Sequence, residues 1–318
     1  MQFARLEPVV AKFLYLNEVT IMAGGPYAGK SRTALKWCHD LASGTETFLG
    51  HIPPIPILYC SERGWAFNSE QLLSIGIKSI PDNLKFFCVP DLGEKEGRLF
   101  DASPLSYISQ TVLKDFSPKI ICLDTLGFFQ SPSAQRDTNS YGHQRISLLK
   151  IRRWAKTHNA AILVLAHAPK QNEKNKYEDP FDKVLGSVAI LASTVAASII
   201  ERVNENYVRL HLRSHISKLE TPRYFRYDSF QEVSSQEALS DDTPLAFVVL
   251  GARQKQVLDL IPTDFTSYSD LYHSIQEKLK MSSSNLTNII ADLKRKKQII
   301  ISVHPHTDDK IIRKIDPS

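Results

Sequence analysis

Short apolar runs alternate with amphipathic stretches from residue 19 to about residue 202. A run such as Ile120-Ile121-Cys122-Leu123 is apolar on both faces of a strand, which is typical of a parallel strand covered by helices on each side. The alternation therefore predicts an α/β domain with a mostly parallel central sheet, and residues 208–212 and 224–227 predict a late antiparallel pair at its edge. The runs that predict parallel strands cover residues 19–23, 57–60, 84–89, 120–123, 161–165 and 197–201, and helical periodicity covers residues 31–41 and 141–156.

The pattern changes near residue 233. Residues 231–246 are rich in serine and acidic side chains and predict a linker. Beyond it, helical periodicity recurs around residues 253–261, 268–279 and 284–297, and two short strands follow at residues 299–301 and 311–312. Three helices and a two-stranded ribbon are the pattern of a winged helix. We therefore expect a large domain over residues 1–230, a linker over residues 231–246 and a winged-helix domain over residues 247–318.

Composition and charge narrow the class of protein. Hydrophobic content of 42% and charged content of 23% are ordinary for a globular protein, and the formal net charge of +5 permits a nucleic-acid partner without requiring one. The four cysteines show no paired spacing, which favours buried thiols in a reducing compartment over disulfides or zinc. Since no apolar run approaches the ~20 residues of a membrane span, we expect a cytoplasmic protein without membrane contact.

The strongest local signal is a glycine-rich loop that follows the first predicted strand and opens the first helix. Glycines let backbone N–H groups converge on phosphate oxygens, and the N-terminus of the helix adds partial positive charge. Lys30 would reach the β- and γ-phosphates, and Ser31 would bind Mg²⁺. A glycine turn before an ordinary helix is the alternative. We assign nucleotide binding, with ATP and Mg²⁺ as ligands, to Gly24, Gly25, Pro26, Tyr27, Ala28, Gly29, Lys30, Ser31 and Arg32.

Three polar residues come directly after, or end, other predicted strands. Asp124 directly follows the strand predicted over residues 120–123 and could face Mg²⁺. The alternative is that it caps a helix, as an aspartate at the end of a strand often does. Glu62 could activate the attacking water as a general base, or it could be a surface glutamate. His167 could hydrogen-bond the γ-phosphate or the water, or it could be a histidine satisfied within the core.

Together these motifs resemble the RecA-like P-loop ATPases, in particular the RepA-like hexameric helicases of phages, plasmids and mobile elements. The resemblance covers roughly residues 15–228 and implies ATP hydrolysis, with Glu62 as catalytic base, Asp124 as the Mg²⁺-side carboxylate and His167 as a sensor. It also implies a ring, with a homo-hexamer as the expected assembly. The motifs that carry it are Glu18-Val19-Thr20-Ile21, Phe48-Leu49-Gly50, Leu58-Tyr59-x-x-Glu62, Leu123-Asp124, Leu165-Ala166-His167-x-x-Lys170 and Gly186-Ser187.

In such a ring one subunit supplies cations to the nucleotide of its neighbour. The matching stretch is Leu212-Arg213-Ser214-His215, so Arg213 is the implied catalytic cation in trans unless it is a solvated strand residue. The family carries a second cation two residues away, where this sequence has His215. A histidine is mostly neutral at pH 7, which departs from the family pattern.

Nucleic acid is the implied polymer, and the resemblance favours single-stranded DNA. Two loops would face it: residues 130–140, which hold Arg136, and residues 170–183, where lysines are balanced by acids. The third helix of the winged-helix pattern offers Ser283, Asn285, Thr287 and Asn288 on its outer face, and Lys294 to Lys297 close it. The cations could equally suit a helix C-terminus, and winged helices also dock proteins. His304 and His306 lack a third metal ligand.

The sequence thus predicts an ATP-dependent helicase or translocase that acts on single-stranded DNA in replication or recombination. A replication initiator or regulator, in which ATP controls DNA binding without unwinding, is the main alternative. A P-loop kinase is less consistent with the sequence, because no arginine-rich lid follows the middle strands.

Overall fold

Two compact units make up the chain, Met1–Asp241 and Asp242–Ser318. The computed structural model describes residues 6–45, 47, 50–102, 104–129, 141–167, 179–183, 193–215, 221–241, 252–295, 299–303 and 310–314.

The first unit is built around one large sheet. A small antiparallel pair, β1 and β2, precedes it, and the described strands of the sheet run in the order β11-β10-β9-β8-β3-β7-β6-β4-β5. Pairings among β8, β3, β7, β6, β4 and β5 are parallel, whereas β8–β9, β9–β10 and β10–β11 are antiparallel. The strands are β1 (Pro8–Val10), β2 (Leu14–Tyr15), β3 (Val19–Gly24), β4 (Ile57–Ser61), β5 (Leu84–Cys88), β6 (Ile120–Asp124), β7 (Ala161–His167), β8 (Ala196–Arg202), β9 (Tyr207–Ser214), β10 (Arg223–Arg226) and β11 (Glu232–Val233).

Helices cover both faces of this sheet. Two apolar clusters result, one joining α1 to residues such as Met22 and Tyr59, the other joining α7 to Ile21 and Leu123. Because successive strand residues point to opposite faces, burial on both sides explains why the parallel strands read as continuous apolar runs. The helices are α1 (Lys30–Ser43), α2 (Trp65–Ser74), α3 (Glu94–Ala102), α4 (Pro104–Gln110), α5 (Val112–Asp115), α6 (Leu126–Phe129), α7 (Tyr141–His158) and α8 (Ser235–Ser240).

The predicted α/β class with a mostly parallel sheet is confirmed, as is the late antiparallel pair, β9 and β10. The prediction of buried thiols is confirmed as well, since Cys38, Cys60, Cys88 and Cys122 are all free and buried. Within the described ranges, no helix combines the length and the apolar character that crossing a bilayer requires.

The predicted linker over residues 231–246 is wrong for its first part. Val233 pairs with Tyr224 in the sheet, and α8 follows, capped where Ser234 Oγ accepts the N–H of Glu237 at 3.1 Å. Ala238 is fully buried, and Asn204 Nδ2 donates to its carbonyl at 3.2 Å. So short a helix buries few side chains, which is why its sequence looks like a linker.

The second unit has its own core. Its helices are α9 (Ala252–Asp259), α10 (Tyr268–Leu279) and α11 (Ser283–Arg295), and its strands β12 (Thr266–Ser267), β13 (Ile299–Val303) and β14 (Lys310–Lys314) pair antiparallel in the order β12-β14-β13. Three helices and a ribbon match the sequence prediction, whereas β12 was not predicted, since it is two polar residues long. The winged-helix assignment stays a prediction, and His304 and His306 lie outside the described residues.

Candidate nucleotide site

The glycine-rich loop joins β3 to α1 and needs glycine at two positions. Gly29, at the N-terminus of α1, has φ 96°, and a Cβ atom there would lie 2.9 Å from a ring carbon of Tyr227. At Gly24 a Cβ atom would lie 2.6 Å from the carbonyl oxygen of Ile200 on the neighbouring strand. Both positions therefore exclude a side chain, Gly29 also because its backbone is left-handed.

Lys30 lies inside this loop and is 6% exposed. Its Nζ donates to the carbonyl oxygens of Gly24 and Gly25, at 3.0 and 2.9 Å. Desolvation lowers the pKa of Lys30 to about 8, against the opposing effect of the carboxylates of Asp124 and Glu62. An ammonium so poorly solvated gains strongly from an anionic phosphate group.

Asp124 ends β6 and is 4% exposed. Burial raises its pKa, and hydrogen bonds from Tyr59 and Ser31 oppose that shift. The Tyr59 hydroxyl donates to Oδ2 at 2.7 Å. Ser31 and Asp124 thus present a hydroxyl and a carboxylate side by side, and such hard oxygen donors fit Mg²⁺, which takes most of its other ligands from waters and phosphates.

Glu62 lies next to Asp124, because β4 and β6 are neighbouring parallel strands. Its N–H donates to the carbonyl oxygen of Asp124 at 2.8 Å. The hydroxyl of Thr125 donates to Glu62 Oε2 at 2.9 Å, which orients the carboxylate. Thr125 was not predicted from the sequence, where its one signal is that it follows the strand-ending aspartate.

His167 ends β7, directly opposite Gly24 in the register of β3 and β7. Desolvation and the nearby ammonium of Lys30 lower its pKa, while Glu62 and Asp124 oppose the shift. The imidazole is therefore neutral at pH 7, so one ring nitrogen can donate and the other can accept.

These side chains line one open pocket of about 330 Å³ at the carboxyl edge of the parallel strands. Of the predicted residues, the structure brings together Lys30, Ser31, Arg32, Glu62, Asp124 and His167 with part of the loop. The other predicted loop residues, Gly24, Gly25 and Ala28, belong to the loop but do not line the pocket. The complete lining is Pro26, Tyr27, Gly29, Lys30, Ser31, Arg32, Glu62, Arg63, Phe67, Gln71, Asp124, Thr125, His167 and Tyr227.

Several lining residues were missed by the sequence reasoning, and Tyr227 is the clearest case. It follows β10, far along the chain from the loop, yet it packs beside Gly29. The guanidinium carbons of Arg32 and Arg202 lie 4.3 and 3.4 Å from its ring centroid. The flat ring, together with Phe67, gives the pocket an aromatic wall to which a planar group could pack.

Arg213 does not reach this pocket. It pairs in register with Ala197, and Ala197 pairs with Ile21, so Arg213 lies back along the sheet from the loop at Gly24. Its guanidinium forms an ion pair of 2.5 Å with Asp179 and lies 4.2 Å from the ring centroid of Phe181. The residues implied for nucleic-acid contact at positions 130–140 and 170–178 lie outside the described residues.

Comparisons with known proteins bear on the family and the fold of this chain. A family model described as an AAA domain matches residues 2–173. Among solved structures, an ATPase domain superposes with a TM-score of 0.50 at 13% identity, covering 69% of this chain and 85% of that domain. A KaiC-like protein from the hyperthermophilic archaeon Pyrococcus horikoshii gives a TM-score of 0.48 at 11% identity, with 72% and 100% covered. No curated protein matches. The likeness to the solved ATPase domain shows the RecA-like α/β fold.

Proposed function

Because this chain belongs to the AAA domain family, we propose that it is a RecA-like P-loop ATPase that hydrolyses ATP with Mg²⁺ and couples hydrolysis to movement on DNA. The observation that carries this proposal is the convergence of Lys30, Ser31, Glu62, Asp124 and His167 on one pocket. These residue types supply phosphate binding, metal binding and proton transfer within reach of one another, which is what phosphoryl transfer to water requires.

Each residue has a role that follows from its surroundings. Loop N–H groups and Lys30 bind the β- and γ-phosphates, and Ser31 and Asp124 would hold Mg²⁺, which would neutralise phosphate charge. The oxygen of water forms a bond to the γ-phosphorus, the bond to the ADP oxygen breaks with its electrons left on ADP, and Glu62 takes the proton. Thr125 holds Glu62 in orientation for that transfer. His167 hydrogen-bonds the γ-phosphate as a neutral imidazole.

A DNA partner is supported by two helices, one in each unit. Helix α7 contains no acidic residue and exposes Arg145, Lys150, Arg153 and Lys156, a face that suits a phosphate backbone. In α11, Leu286, Ile290 and Leu293 are buried while Ser283, Asn285, Thr287 and Asn288 are exposed, as a helix that reads DNA requires. The two asparagines line a groove of about 430 Å³.

The same α11 supports a second candidate, a DNA-binding initiator or regulator in which ATP controls assembly without unwinding. Both candidates share the ATP site and differ in what hydrolysis drives. In either case we propose a homo-hexamer, in which the site of one subunit is completed by Arg213 of its neighbour; the distance of Arg213 from its own loop supports that arrangement.

ATP turnover and forked-DNA unwinding, measured side by side, test the proposal. We expect wild type to hydrolyse ATP faster with single-stranded DNA, to unwind the fork, and to lose both activities in Lys30→Ala. Turnover in wild type without any unwinding would favour the regulator over the helicase. Absence of turnover under all conditions would refute both. Native mass measurement with nucleotide and DNA tests the ring, which monomers under every condition would contradict.

A further inference from the structure

Arg63 follows Glu62 directly, and buried polar side chains fix its backbone. Its N–H donates to Ser61 Oγ at 3.0 Å, and Ser61 is fully buried. Asn68, 1% exposed, donates through Nδ2 to the carbonyl oxygens of Arg63 and Gly64 at 3.1 and 3.0 Å. Residue 63 is therefore held in place relative to Glu62, as a residue that meets a substrate should be.

Arg63 is exposed and lines the nucleotide pocket together with Phe67, whose ring centroid lies 5.5 Å from the guanidinium carbon of Arg63. Among the described residues it forms no salt bridge. Its charge is therefore not neutralised by a carboxylate partner in that part of the chain. An arginine at the edge of such a pocket without a carboxylate partner is suited to bind an anion, since its fork of N–H groups matches phosphate oxygens.

Two other lysine or arginine residues line the pocket, and each has contacts of its own. Lys30 donates to loop carbonyls at the base of the site, where it is proposed to bind the β- and γ-phosphates. Arg32 packs on Tyr227 and donates to the carbonyl oxygen of Ser74 at 3.2 Å. Arg213 lies away from the pocket of its own chain. Arg63 therefore differs from Lys30 and Arg32 in that it directly follows the general base in the chain, which makes it a candidate for a further contact with the outermost phosphate.

We infer that Arg63 contacts the γ-phosphate of ATP bound in its own subunit and stabilises the charge that develops there as the phosphate is transferred to water. This inference rests on the proposed ATPase function and deepens it. An arginine supplied by the same chain is an established solution in phosphoryl transfer. It would allow this site to work although His215 stands where the resemblance implies a second cation from the neighbour.

Affinities for ADP and for ADP–aluminium fluoride, which mimics the transferring phosphate, test the inference. In Arg63→Ala we expect kcat to fall at least about 100-fold and the affinity for the mimic to fall with it, while the ADP affinity changes by less than about 3-fold. Arg63→Lys should recover part of the loss. The matched control is Arg98→Ala, which removes an exposed arginine of α3 that pairs with Glu94. Misfolding of Arg63→Ala would lower the midpoint of its denaturant unfolding, whereas loss of a phosphate contact would leave that midpoint at the wild-type value.

Two results would overturn the inference. If Arg63→Ala binds the mimic with wild-type affinity, Arg63 does not contact the γ-phosphate. If Arg63→Ala loses affinity for ADP and for the mimic equally, Arg63 contacts the nucleoside end of the nucleotide instead. Mixing Lys30→Ala with Arg63→Ala subunits separates cis from trans: recovery of turnover would mean that Arg63 acts on a neighbour. If wild type fails to turn over ATP, the proposed function fails, whereas the two binding affinities still decide the role of Arg63.

Discussion

At the scale of single residues, burial sets the chemistry of the site. Lys30 and Asp124 are both buried. Burial lowers the pKa of Lys30 and raises the pKa of Asp124, so it favours the neutral form of each side chain. The hydroxyl groups of Tyr59 and Ser31 and the nearby opposite charges limit those shifts. Phosphate and Mg²⁺ complete the compensation, so ligand binding relieves an electrostatic cost that the folded protein carries.

The pKa of Lys30 gives the first prediction. Since the folded value is about 8, Lys30 is largely neutral at pH 9 and largely charged at pH 7. Bound phosphate favours the charged form, so nucleotide binding should take up close to one proton at pH 9 and far less at pH 7. Calorimetry of ADP binding in buffers of different ionisation enthalpy measures this uptake.

Lys30→Arg is the control for that measurement, because arginine stays charged throughout the range and has no proton to gain. The lowered pKa of Lys30 also predicts how the free energy of unfolding of the nucleotide-free protein depends on pH. Between about pH 8 and pH 10.5 the unfolded chain holds a proton on Lys30 that the folded protein has lost, so the free energy of unfolding rises with pH in that range. Equal uptake by both proteins at pH 9 would contradict the assignment of a depressed pKa to Lys30.

At the scale of elements, the strands were predictable and several of their contacts were not. Parallel strands such as β6 are apolar on both faces, so a run of four apolar residues suffices to predict them. The polar residues that follow them were found for the same reason: they interrupt such runs at one edge of the sheet. Tyr59 was read as one more apolar strand residue, because its hydrogen bond to Asp124 joins residues 65 positions apart.

Other misses have the same cause. Tyr227 reaches the loop through the antiparallel pairing of β9 and β10, and no local pattern encodes that approach. Arg63 is an exposed residue that no sequence pattern marks, and its fixed backbone follows from hydrogen bonds with Ser61 and Asn68. Elements as short as β12 and α8 carry too few buried residues to show a period.

The loop between β3 and α1 gives the second prediction. Gly29→Ala should destabilise the protein by about 1–3 kcal/mol and weaken nucleotide binding, because alanine is strained at φ 96° and its Cβ meets the ring of Tyr227. Denaturant unfolding and ADP affinity measure the two effects. Gly97→Ala in α3 is the control, since a Cβ there meets nothing within 4 Å. Equal stability of the two variants would contradict the steric argument.

At the scale of the whole molecule, each unit has its own core, and the chemistry lies in the first. The boundary after Asp241 falls within the linker that the sequence predicts over residues 231–246. In the second unit, helix α11 has an exposed polar face. The sequence predicts this face, because Leu286, Ile290 and Leu293 recur with a helical period on the opposite side. Its proposed role is contact with DNA, separate from ATP turnover.

Negative charge on that face gives the third prediction. Asn285→Asp with Asn288→Asp should weaken DNA binding by at least about 10-fold, because carboxylates repel phosphates, while turnover without DNA stays at the wild-type rate. Fluorescence anisotropy at two salt concentrations measures the affinity. Ser106→Asp with Gln110→Glu, on exposed positions of α4, makes the same change in net charge. An equal loss in both variants would mean that net charge, and not α11, determines binding.

The most direct test of the central claim is ATP hydrolysis by Glu62→Gln, measured together with its affinity for ATP. Glutamine keeps the shape of the side chain but cannot take a proton from water. We predict that turnover falls at least about 100-fold while ATP still binds with Mg²⁺ at nearly wild-type affinity. Turnover by Glu62→Gln at the wild-type rate would contradict the account of this pocket as a site of ATP hydrolysis.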